Sequence, residues 1–502
     1  MSAPGTKSGG MAASLPELER RVRSDLACLC VPPANWVIPA AAPDGRPVHD
    51  VVVIGGGMCG LVASFALLAA GIRNLRIFDR APEGLEGPWL TYARMETLRS
   101  PKQLTGPAYG MASLTFRAWF VARHGDAAWD ALDRIPRPMW AEYLRWYRHV
   151  LDLPVENEVE VKRILPEGAG LLRLELSGNG RREDMVLARR VVMATGREGM
   201  GRPNIPRFAG GLPRSHWAHS ADPIDFAALA GRRVVVVGVG ASAVDNAAEA
   251  LEAGAKEVRL LARRKAMPTI NKLMGIGSFG FTAGYPELGD GWRWRIMHYS
   301  FLTQTPAPRG STLRVSRHAN AYFHFGAAIE RADFADGEIV LGLAGGRRLA
   351  ADYMILCTGF LVEPLARAEL DAYAGEIALW RDRYRPPAGL ENEQLGAFPY
   401  LADDFSFMER EAGRAPWLSR IHCFNYGASV SLGKTSGDIP GISEGAAWLA
   451  RALASRFYAE DIEKHWQRLL AYATPELRGD EWAASELPEE AAGMAAARRG
   501  MG

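Results

Sequence analysis

Residues 51–60 read Val-Val-Val-Ile-Gly-Gly-Gly-Met-Cys-Gly, and an apolar stretch follows them to Ala70. A run of β-branched residues is typical of a buried parallel strand. The spacing of Gly55, Gly57 and Gly60 matches the turn that joins a strand to a helix in dinucleotide-binding folds. Glycines permit this tight turn and let backbone N–H groups approach a pyrophosphate at the helix N-terminus. The stretch therefore predicts a strand, a turn and a helix, with the three glycines as cofactor contacts.

A second stretch of the same form begins at Val234. Residues 234–243 read Val-Val-Val-Val-Gly-Val-Gly-Ala-Ser-Ala, and Gly238, Gly240 and Ser242 are the predicted contacts. One glycine-rich turn is weak support for a bound nucleotide. Two such turns, each between a strand and a helix, make two bound dinucleotides the leading explanation. The predicted fold is α/β, with two Rossmann-like dinucleotide-binding domains.

The residue that ends the second strand of each unit distinguishes the two cofactors. Asp79 follows the predicted strand 75–78, near the spacing of about 20 residues at which an acid accepts hydrogen bonds from a ribose diol. In the second unit three cations, Arg263, Arg264 and Lys265, replace the acid. Guanidinium groups bind phosphate oxygens, whereas an acid would repel them, so the second unit is predicted to select a 2′-phosphate. The alternative is a solvated basic loop at the end of a strand.

Length and composition limit the class of protein. The chain has 502 residues, which predicts two or three domains. Its formal net charge of +2 provides no basic field for nucleic acid or an anionic membrane. Five cysteines without the spacing of a disulfide framework, and no pattern of a signal peptide, favour a cytoplasmic protein. Residues 51–70 carry no charge, but three consecutive glycines interrupt them, so no membrane span is expected.

Shorter motifs accompany the two glycine turns. Two predicted strands close on Thr-Gly, at 190–196 and 353–359, and the first supplies Thr195 and Gly196 as predicted contacts. The others are Gly-Leu-Glu-Gly-Pro-Trp at 84–89, Leu-Arg-Ser-Pro-Lys-Gln-Leu-Thr-Gly at 98–106, and Gly-Asp-Ile-Pro-Gly at 437–441, ahead of a helical run at 443–454. Together these residues resemble the two-dinucleotide-binding flavoproteins. They resemble more closely the class B flavin-dependent monooxygenases, which include flavin-containing monooxygenases, Baeyer–Villiger enzymes and microbial N-hydroxylases.

The resemblance implies FAD on the first glycine turn, NADPH on the second, and an NADP domain inserted into the FAD domain. It adds Arg80, Trp89 and Asp438 to the expected FAD contacts. The implied activity is oxygenation of a small nucleophilic nitrogen or sulfur compound through a C4a-(hydro)peroxyflavin, with dioxygen as co-substrate. The implied division of the chain is an N-terminal extension (1–47), the FAD domain in two parts (48–200 and 351–455), the NADP domain (201–350) and a C-terminal helical extension (456–502).

The sequence departs from this resemblance at its most diagnostic motif. Class B enzymes carry Phe-x-Gly-x-x-x-His, whereas residues 208–214 place Arg214 where the His belongs. His219 is a candidate for a shifted equivalent. Baeyer–Villiger oxygenation of a ketone therefore stays open, as does an NADPH oxidase or flavin reductase that inserts no oxygen. A disulfide reductase is disfavoured because the one close cysteine pair, Cys28 and Cys30, precedes the FAD turn.

Candidates for direct chemistry are few. Ser100 and Lys102 lie in the 98–106 motif, where a cation could stabilise developing negative charge. The alternative for Lys102 is a surface lysine in a loop. No catalytic-triad or metal-binding pattern is present, so no metal is expected. The expected partner is a small-molecule substrate, and the oligomeric state stays open, with a homo-oligomer as one alternative.

Three other sets of residues are expected to have structural roles or roles that the sequence leaves open. Trp140, Tyr143 and Tyr147 recur at helical spacing, which predicts a buried helix face. Asp245 and Asn246 are expected to be solvated or packing positions. A polar set is interpreted either as an anion site or as a solvated edge: Arg314, Arg317, His318 and His324.

Overall fold

The computed structural model describes residues 14–178 and 184–486. The strands are β1 (Val48–Ile54), β2 (Leu75–Phe78), β3 (Val155–Glu156), β4 (Glu160–Glu167), β5 (Leu171–Ser177), β6 (Met185–Met193), β7 (Gly201–Pro203), β8 (Trp217–His219), β9 (Arg233–Val237), β10 (Glu257–Ala262), β11 (Ala321–Phe325), β12 (Ile329–Ala335), β13 (Glu338–Leu343), β14 (Arg347–Ala351), β15 (Tyr353–Leu356), β16 (Phe360–Val362) and β17 (Ile421–His422).

The α-helices are α1 (Leu15–Cys28), α2 (Met58–Ala69), α3 (Phe116–His124), α4 (Asp126–Ala131), α5 (Arg137–Val150), α6 (Ala241–Glu252), α7 (Phe279–Gly284), α8 (Asp290–Thr303), α9 (Arg309–Ser316), α10 (Trp380–Arg383), α11 (Glu393–Gly396), α12 (Ser429–Leu432), α13 (Ile442–Glu460) and α14 (Ile462–Ala471). Both nucleotide-binding units belong to one compact body, which ends at Arg456, and a separate body begins at Phe457. None of the helices in the described ranges is both long and apolar enough to cross a membrane.

The first sheet carries the first glycine turn at its edge. Its strand order is β3-β2-β1-β6-β5-β4, with β17 also paired to β6. Strands β3, β2, β1, β6 and β17 run parallel, whereas β5 pairs antiparallel with both β6 and β4. The register places Ile54 opposite both Phe78 and Met193. Gly55, Asp79 and Thr195 therefore follow the carboxyl ends of neighbouring strands, the edge at which such sheets bind ligands.

The second sheet repeats this arrangement around the second turn. Its order is β11-β10-β9-β15-β8, and all of its pairs are parallel. Val237 lies opposite Leu261 and Leu356, so Gly238 leaves the sheet beside the ends of β10 and β15. Strands β9 and β10 bury Val236 and Leu260 against α6. A separate antiparallel sheet, β12-β13-β14, packs beside this core.

The chain passes through the first sheet, then the second, and then returns. Strands β1 to β6 build most of the first sheet, β8 to β11 with β15 build the second, and β17 comes back beside β6. The antiparallel pair β7 and β16 joins the outgoing and returning chain. This path confirms the predicted α/β fold with two Rossmann-like units, the second inserted into the first. The numerical domain boundaries given above stay predictions.

The aromatic helix is a core element, as predicted. Trp140, Tyr143 and Tyr147 are buried on one face of α5. The Tyr143 hydroxyl donates to the carbonyl of Leu114 at 2.6 Å, and the Tyr147 hydroxyl donates to that of Pro107 at 2.9 Å. The two hydroxyl groups are thus satisfied inside the core, whereas the indole N–H of Trp140 has no hydrogen-bond partner among the described residues. The role of this face is apolar packing.

Candidate functional site

Of the three glycines predicted as contacts in the first turn, two have no room for a side chain and one has an open face. Gly55 has φ +108°, and a Cβ there would lie 2.5 Å from the carbonyl oxygen of Ala194. A Cβ on Gly60 would lie 1.7 Å from the carbonyl oxygen of Gly55. Gly57, the N-cap of α2, is different, because its Cβ would meet nothing closer than Gly87 at 3.8 Å. Gly55 and Gly60 therefore shape the turn, and Gly57 leaves its outer face open.

A cleft lies against that open face. Gly57 and Trp89 line it, and Arg148 closes one wall through an ion pair of 2.9 Å with Glu86. The predicted contact Trp89 is therefore next to the predicted contact Gly57. A bare backbone turn that faces a cleft fits the pyrophosphate of a dinucleotide such as FAD.

Asp79 is tied to the same turn. Its Oδ2 accepts a hydrogen bond from the Gly56 N–H at 2.7 Å, and its Oδ1 accepts one from the Ala81 N–H at 2.7 Å. A carboxylate oxygen has lone pairs for further donors, so these bonds orient Asp79 and leave it able to accept from a ribose. Arg80 is exposed and pairs with Glu198 at 3.1 Å. Both residues stay predicted FAD contacts.

The Thr-Gly end of β6 is held by a residue that sequence reasoning missed. Asn425, which is fully buried, donates from Nδ2 to the carbonyl of Met193 and to the hydroxyl of Thr195, both at 3.1 Å. The next residue, Tyr426, donates its N–H to the carbonyl of Gly196 at 3.3 Å. Asn425 comes from the returning chain some 230 residues later, so local sequence carries no signal of the contact.

Two segments expected to flank the flavin are clamped together. The Ser443 hydroxyl, at the start of α13, donates to the carbonyl of Gly106 at 2.6 Å and accepts from the Tyr109 N–H at 3.0 Å. Asp438, just before this helix, pairs with Lys434 at 3.5 Å. Burial raises the pKa of the Cys59 thiol on α2, and the charge of Asp438 raises that pKa further. The 98–106 motif, Asp438 and the first turn of α2 therefore lie close together.

The two catalytic candidates are in this motif. Lys102 donates to the carbonyls of Trp129 at 2.5 Å and Asp130 at 3.4 Å, and its ammonium group lies 4.9 Å from the centre of the Trp129 ring. These contacts turn it toward α4. Ser100 is half-buried in the same loop. A catalytic role for either stays a prediction.

The second glycine turn matches the first. Gly238 has φ +122° and donates its N–H to the carbonyl of Leu261 at 2.9 Å. Gly240 is the N-cap of α6, and a Cβ there would meet nothing within 4 Å. Ser242 lies in the first turn of the helix, where its carbonyl accepts from Asn246 at 2.8 Å. This turn therefore also leaves an open face for a pyrophosphate.

The three cations follow β10, directly beside that turn. Arg263 and Lys265 are exposed, and Arg264 donates to the carbonyl of Leu302 at 2.7 Å. Within the described residues, none of the three forms an ion pair. Their charges are therefore free for an anionic ligand, which stays the prediction.

The atypical 208–219 region holds its basic residues in internal contacts. Arg214 pairs with Asp222 and stacks 4.0 Å over the Trp217 ring. His219 is fully buried, and burial lowers its pKa. Its Nδ1 accepts from the Ala221 N–H at 3.2 Å, so the other ring nitrogen donates to the carbonyl of Gly359 at 3.0 Å. His219 therefore joins the ends of β8 and β15.

Comparison with known proteins decides the family. Residues 52–274 match the pyridine nucleotide-disulphide oxidoreductase family. The chain is 38% identical to the FAD-dependent urate hydroxylase of Xanthomonas campestris over 468 residues, which cover 93% of this chain and 98% of that enzyme. The chain belongs to this family of FAD-dependent hydroxylases. Its predicted class, a flavoprotein oxidoreductase of the monooxygenase type, is thereby confirmed, and its cofactors are FAD and NADPH with dioxygen.

Solved structures share the fold of this hydroxylase at low sequence identity. The ornithine hydroxylase of Pseudomonas aeruginosa is 18% identical, with a TM-score of 0.61, and the match covers 81% of this chain and 99% of that one. An ornithine N-hydroxylase from Kutzneria sp. 744, solved with reduced FAD, NADP⁺ and L-ornithine, is 16% identical, with a TM-score of 0.63 and coverage of 82% and 100%. These likenesses confirm the architecture alone.

In this hydroxylase Arg314 is neither an anion site nor a solvated edge, so both interpretations of it were wrong. It is buried and forms ion pairs with Glu252 at 2.5 Å, Glu249 at 3.0 Å and Glu96 at 3.4 Å. The acids of α6 recur at helical spacing and face α9, which neither interpretation takes into account. Glu96 belongs to the strip that leads into the 98–106 motif, so Arg314 ties the second unit to the first.

Loss of Arg314 is expected to destabilise the fold. Arg314→Met should lower the free energy of unfolding by about 2 to 4 kcal/mol, because it leaves three carboxylates without their shared cation. Denaturant unfolding of the FAD-loaded protein measures this. Arg317→Met is the matched control, since Arg317 pairs with the same Glu252 but is 59% exposed, and should cost under about 1 kcal/mol. Equal losses would contradict a special role for Arg314.

Asp245 is expected to make stability depend on pH. It is only 3% exposed, its Oδ1 has no hydrogen-bond partner among the described residues, and burial raises its pKa from 3.8 to about 6. The folded state thus binds this proton more tightly than the unfolded state, so the free energy of unfolding falls as pH rises from about 4 to about 6. Asp245→Asn should remove this fall and stabilise the protein by about 1 to 3 kcal/mol at pH 8. Unfolding curves of wild type and Asp245→Asn at pH 5 and pH 8 test this. An equal fall in the free energy of unfolding of the two proteins between these pH values would contradict it.

Proposed function

We propose that this protein is an NADPH-dependent flavin monooxygenase that hydroxylates a planar, electron-rich heterocycle of the urate type. The observation that carries the proposal is the 38% identity to a urate hydroxylase over 93% of the chain. Two glycine turns with open faces support it, because an enzyme of this kind needs both a flavin and a hydride donor. The net reaction consumes NADPH, a proton and dioxygen, inserts one oxygen atom into the substrate and releases NADP⁺ and water.

The chain's own residues would bind the two cofactors, orient them and enclose the flavin. Gly57, Asp79 and Trp89 would hold FAD at the edge of the first sheet, and Gly240 with Arg263 would hold NADPH at the second. Bound there, the flavin would supply acceptance of a hydride and activation of dioxygen for oxygen transfer. Ser443 fixes the 98–106 loop against α13 and so maintains the wall expected beside the flavin. No side-chain nucleophile is part of the proposal, and neither Lys102 nor Ser100 is required by it.

The proposed substrate, a heterocycle, differs from the nitrogen or sulfur compound that the resemblance implied. That expectation rests on motif order, and the structural relatives that act on amines are too distant to support it. The buried contacts of His219 and the ion pair of Arg214 likewise give no support for Baeyer–Villiger chemistry. Amines, sulfides and ketones therefore enter as comparison substrates.

Coupling between NADPH oxidation and product formation tests the proposed function. With urate present, NADPH oxidation and oxygen uptake should accelerate, and the yield of hydrogen peroxide per NADPH should fall. Urate that changes neither rate nor peroxide yield would overturn the proposed substrate. Peroxide as the sole product with every substrate tested would instead identify an oxidase.

A further inference from the structure

Four arginines surround the strip that leads into the 98–106 motif, and their side chains donate to backbone carbonyls. Arg94 donates to Thr91 and Asp222, Arg137 to Trp89 and Met95, Arg99 to Pro306, and Arg134 to Arg99. None of the four forms an ion pair with any residue in 14–178 or 184–486. Carbonyl oxygens satisfy N–H groups but do not neutralise the charge. We call these four residues the arginine cluster.

The positive charges in the cluster repel one another. Burial lowers the pKa of Arg94; the charge of Glu249 opposes this shift, and the neighbouring charge of Arg137 adds to it. Partial burial likewise lowers the pKa of Arg99; the charges of Asp245 and Asp438 oppose this shift, and the charge of Arg134 adds to it. None of these acids forms an ion pair with the cluster, so its like charges repel one another without a direct counterion, and a bound anion would relieve the repulsion.

Arg99 lies at the joint between the two nucleotide units. Its guanidinium contacts Pro306 of the second unit, and the charges of Asp245 on α6 and Asp438 before α13 both act on it. Neither acid is close enough to pair with it. Arg99 is exposed, so a ligand can reach it from solvent. One contact to a carbonyl leaves most of its five N–H donors available.

We propose that Arg99, with Arg134 beside it, binds the delocalised negative charge of an anionic planar substrate at the joint between the FAD and NADPH units. A planar guanidinium can donate two parallel hydrogen bonds to adjacent acceptors, which suits a ring anion such as urate. This inference rests on the proposed function and specifies the substrate class, an anion rather than a neutral heterocycle.

An oxyanion at this place has a second source, the pyrophosphate of NADPH. Two observations favour the substrate. The open turn at Gly240 already offers backbone N–H groups to the pyrophosphate, and Arg263 with its neighbours offers charge to the 2′-phosphate. Arg99 also lies within reach of the charges of both Asp245 in the NADPH unit and Asp438 in the FAD unit, so it lies between the two glycine turns and not on the second turn alone.

Equilibrium binding to the oxidised, FAD-loaded protein tests the inference without turnover. Urate, hypoxanthine and NADP⁺ are titrated separately, and the change in the flavin spectrum is followed. Urate is an anion at neutral pH, whereas hypoxanthine is an uncharged purine of similar shape. Arg99→Gln should weaken urate binding about ten- to a hundredfold, with the Kd of hypoxanthine and NADP⁺ changed less than about twofold. Arg99→Lys should fall between wild type and Arg99→Gln, because it keeps the charge and loses the fork.

The control is Arg331→Gln, which removes an equally charged, exposed side chain on β12, outside the arginine cluster, and should leave all three constants unchanged. Retained FAD and an unchanged circular dichroism spectrum show that each variant is folded. The inference is overturned if Arg99→Gln weakens the binding of NADP⁺ instead of urate, or weakens the binding of both purines equally. It is also overturned if wild type binds urate no more tightly than hypoxanthine. Failure of the proposed function is a separate result, namely urate that binds but is not hydroxylated.

Discussion

Gly57→Leu should give a folded protein that no longer retains FAD. The backbone at Gly57 is extended, with φ −73°, so a side chain fits without strain, and the nearest atom to its Cβ is 3.8 Å away. The loss of an N-cap preference costs about 1 kcal/mol of stability. The Leu side chain would fill the face that a pyrophosphate must approach, so FAD affinity should fall at least about a hundredfold, or about 2.7 kcal/mol.

Flavin content after gel filtration measures this result, and circular dichroism shows whether the apoprotein is folded. Gly240→Leu is the matched control, because it makes the same change at the second turn, where a Cβ also meets no atom within 4 Å. It should retain FAD and lose NADPH-dependent flavin reduction. Full FAD retention in Gly57→Leu would show that the cofactor does not lie on the first turn.

Arg263→Ala and Arg264→Ala should each raise the KM for NADPH about ten- to a hundredfold and leave the KM for NADH nearly unchanged. A charge-assisted phosphate contact contributes about 1.5 to 3 kcal/mol, and NADH lacks the 2′-phosphate. Both cations follow β10, beside the turn at Gly238, and neither is neutralised by an ion pair within the described residues.

Steady-state kinetics with both nucleotides measures this preference. Arg331→Ala, on an exposed strand of the separate three-stranded sheet, should change neither KM. If the two arginine variants lose NADPH and NADH equally, the cations do not read the 2′-phosphate. The basic loop would then be the solvated strand end that the sequence also allows.

What the sequence predicts well depends on neighbours along the chain. The two glycine turns, strands β1, β2, β9 and β15 and the buried face of α5 follow from spacing over a few residues. At Gly55 and Gly60 the reason is steric, since no other residue fits the turn. Such positions can be identified from the order of residues alone.

What it predicts poorly depends on contacts between distant segments. Arg314 is misread because its partners Glu249 and Glu96 lie on other elements. Asn425 and Ser443 are missed because they reach Thr195 and Gly106 across 230 and 337 residues. Tertiary packing, rather than local pattern, decides these side chains.

The origin of the inserted oxygen atom tests the central claim most directly. The FAD-loaded protein is incubated with NADPH, urate and ¹⁸O₂, and the product is analysed by mass spectrometry before its new oxygen can exchange with water. The account predicts a product that carries one ¹⁸O atom, formed only when NADPH is present. A product labelled from H₂¹⁸O instead, or NADPH oxidation that yields hydrogen peroxide and leaves every substrate unchanged, would contradict it.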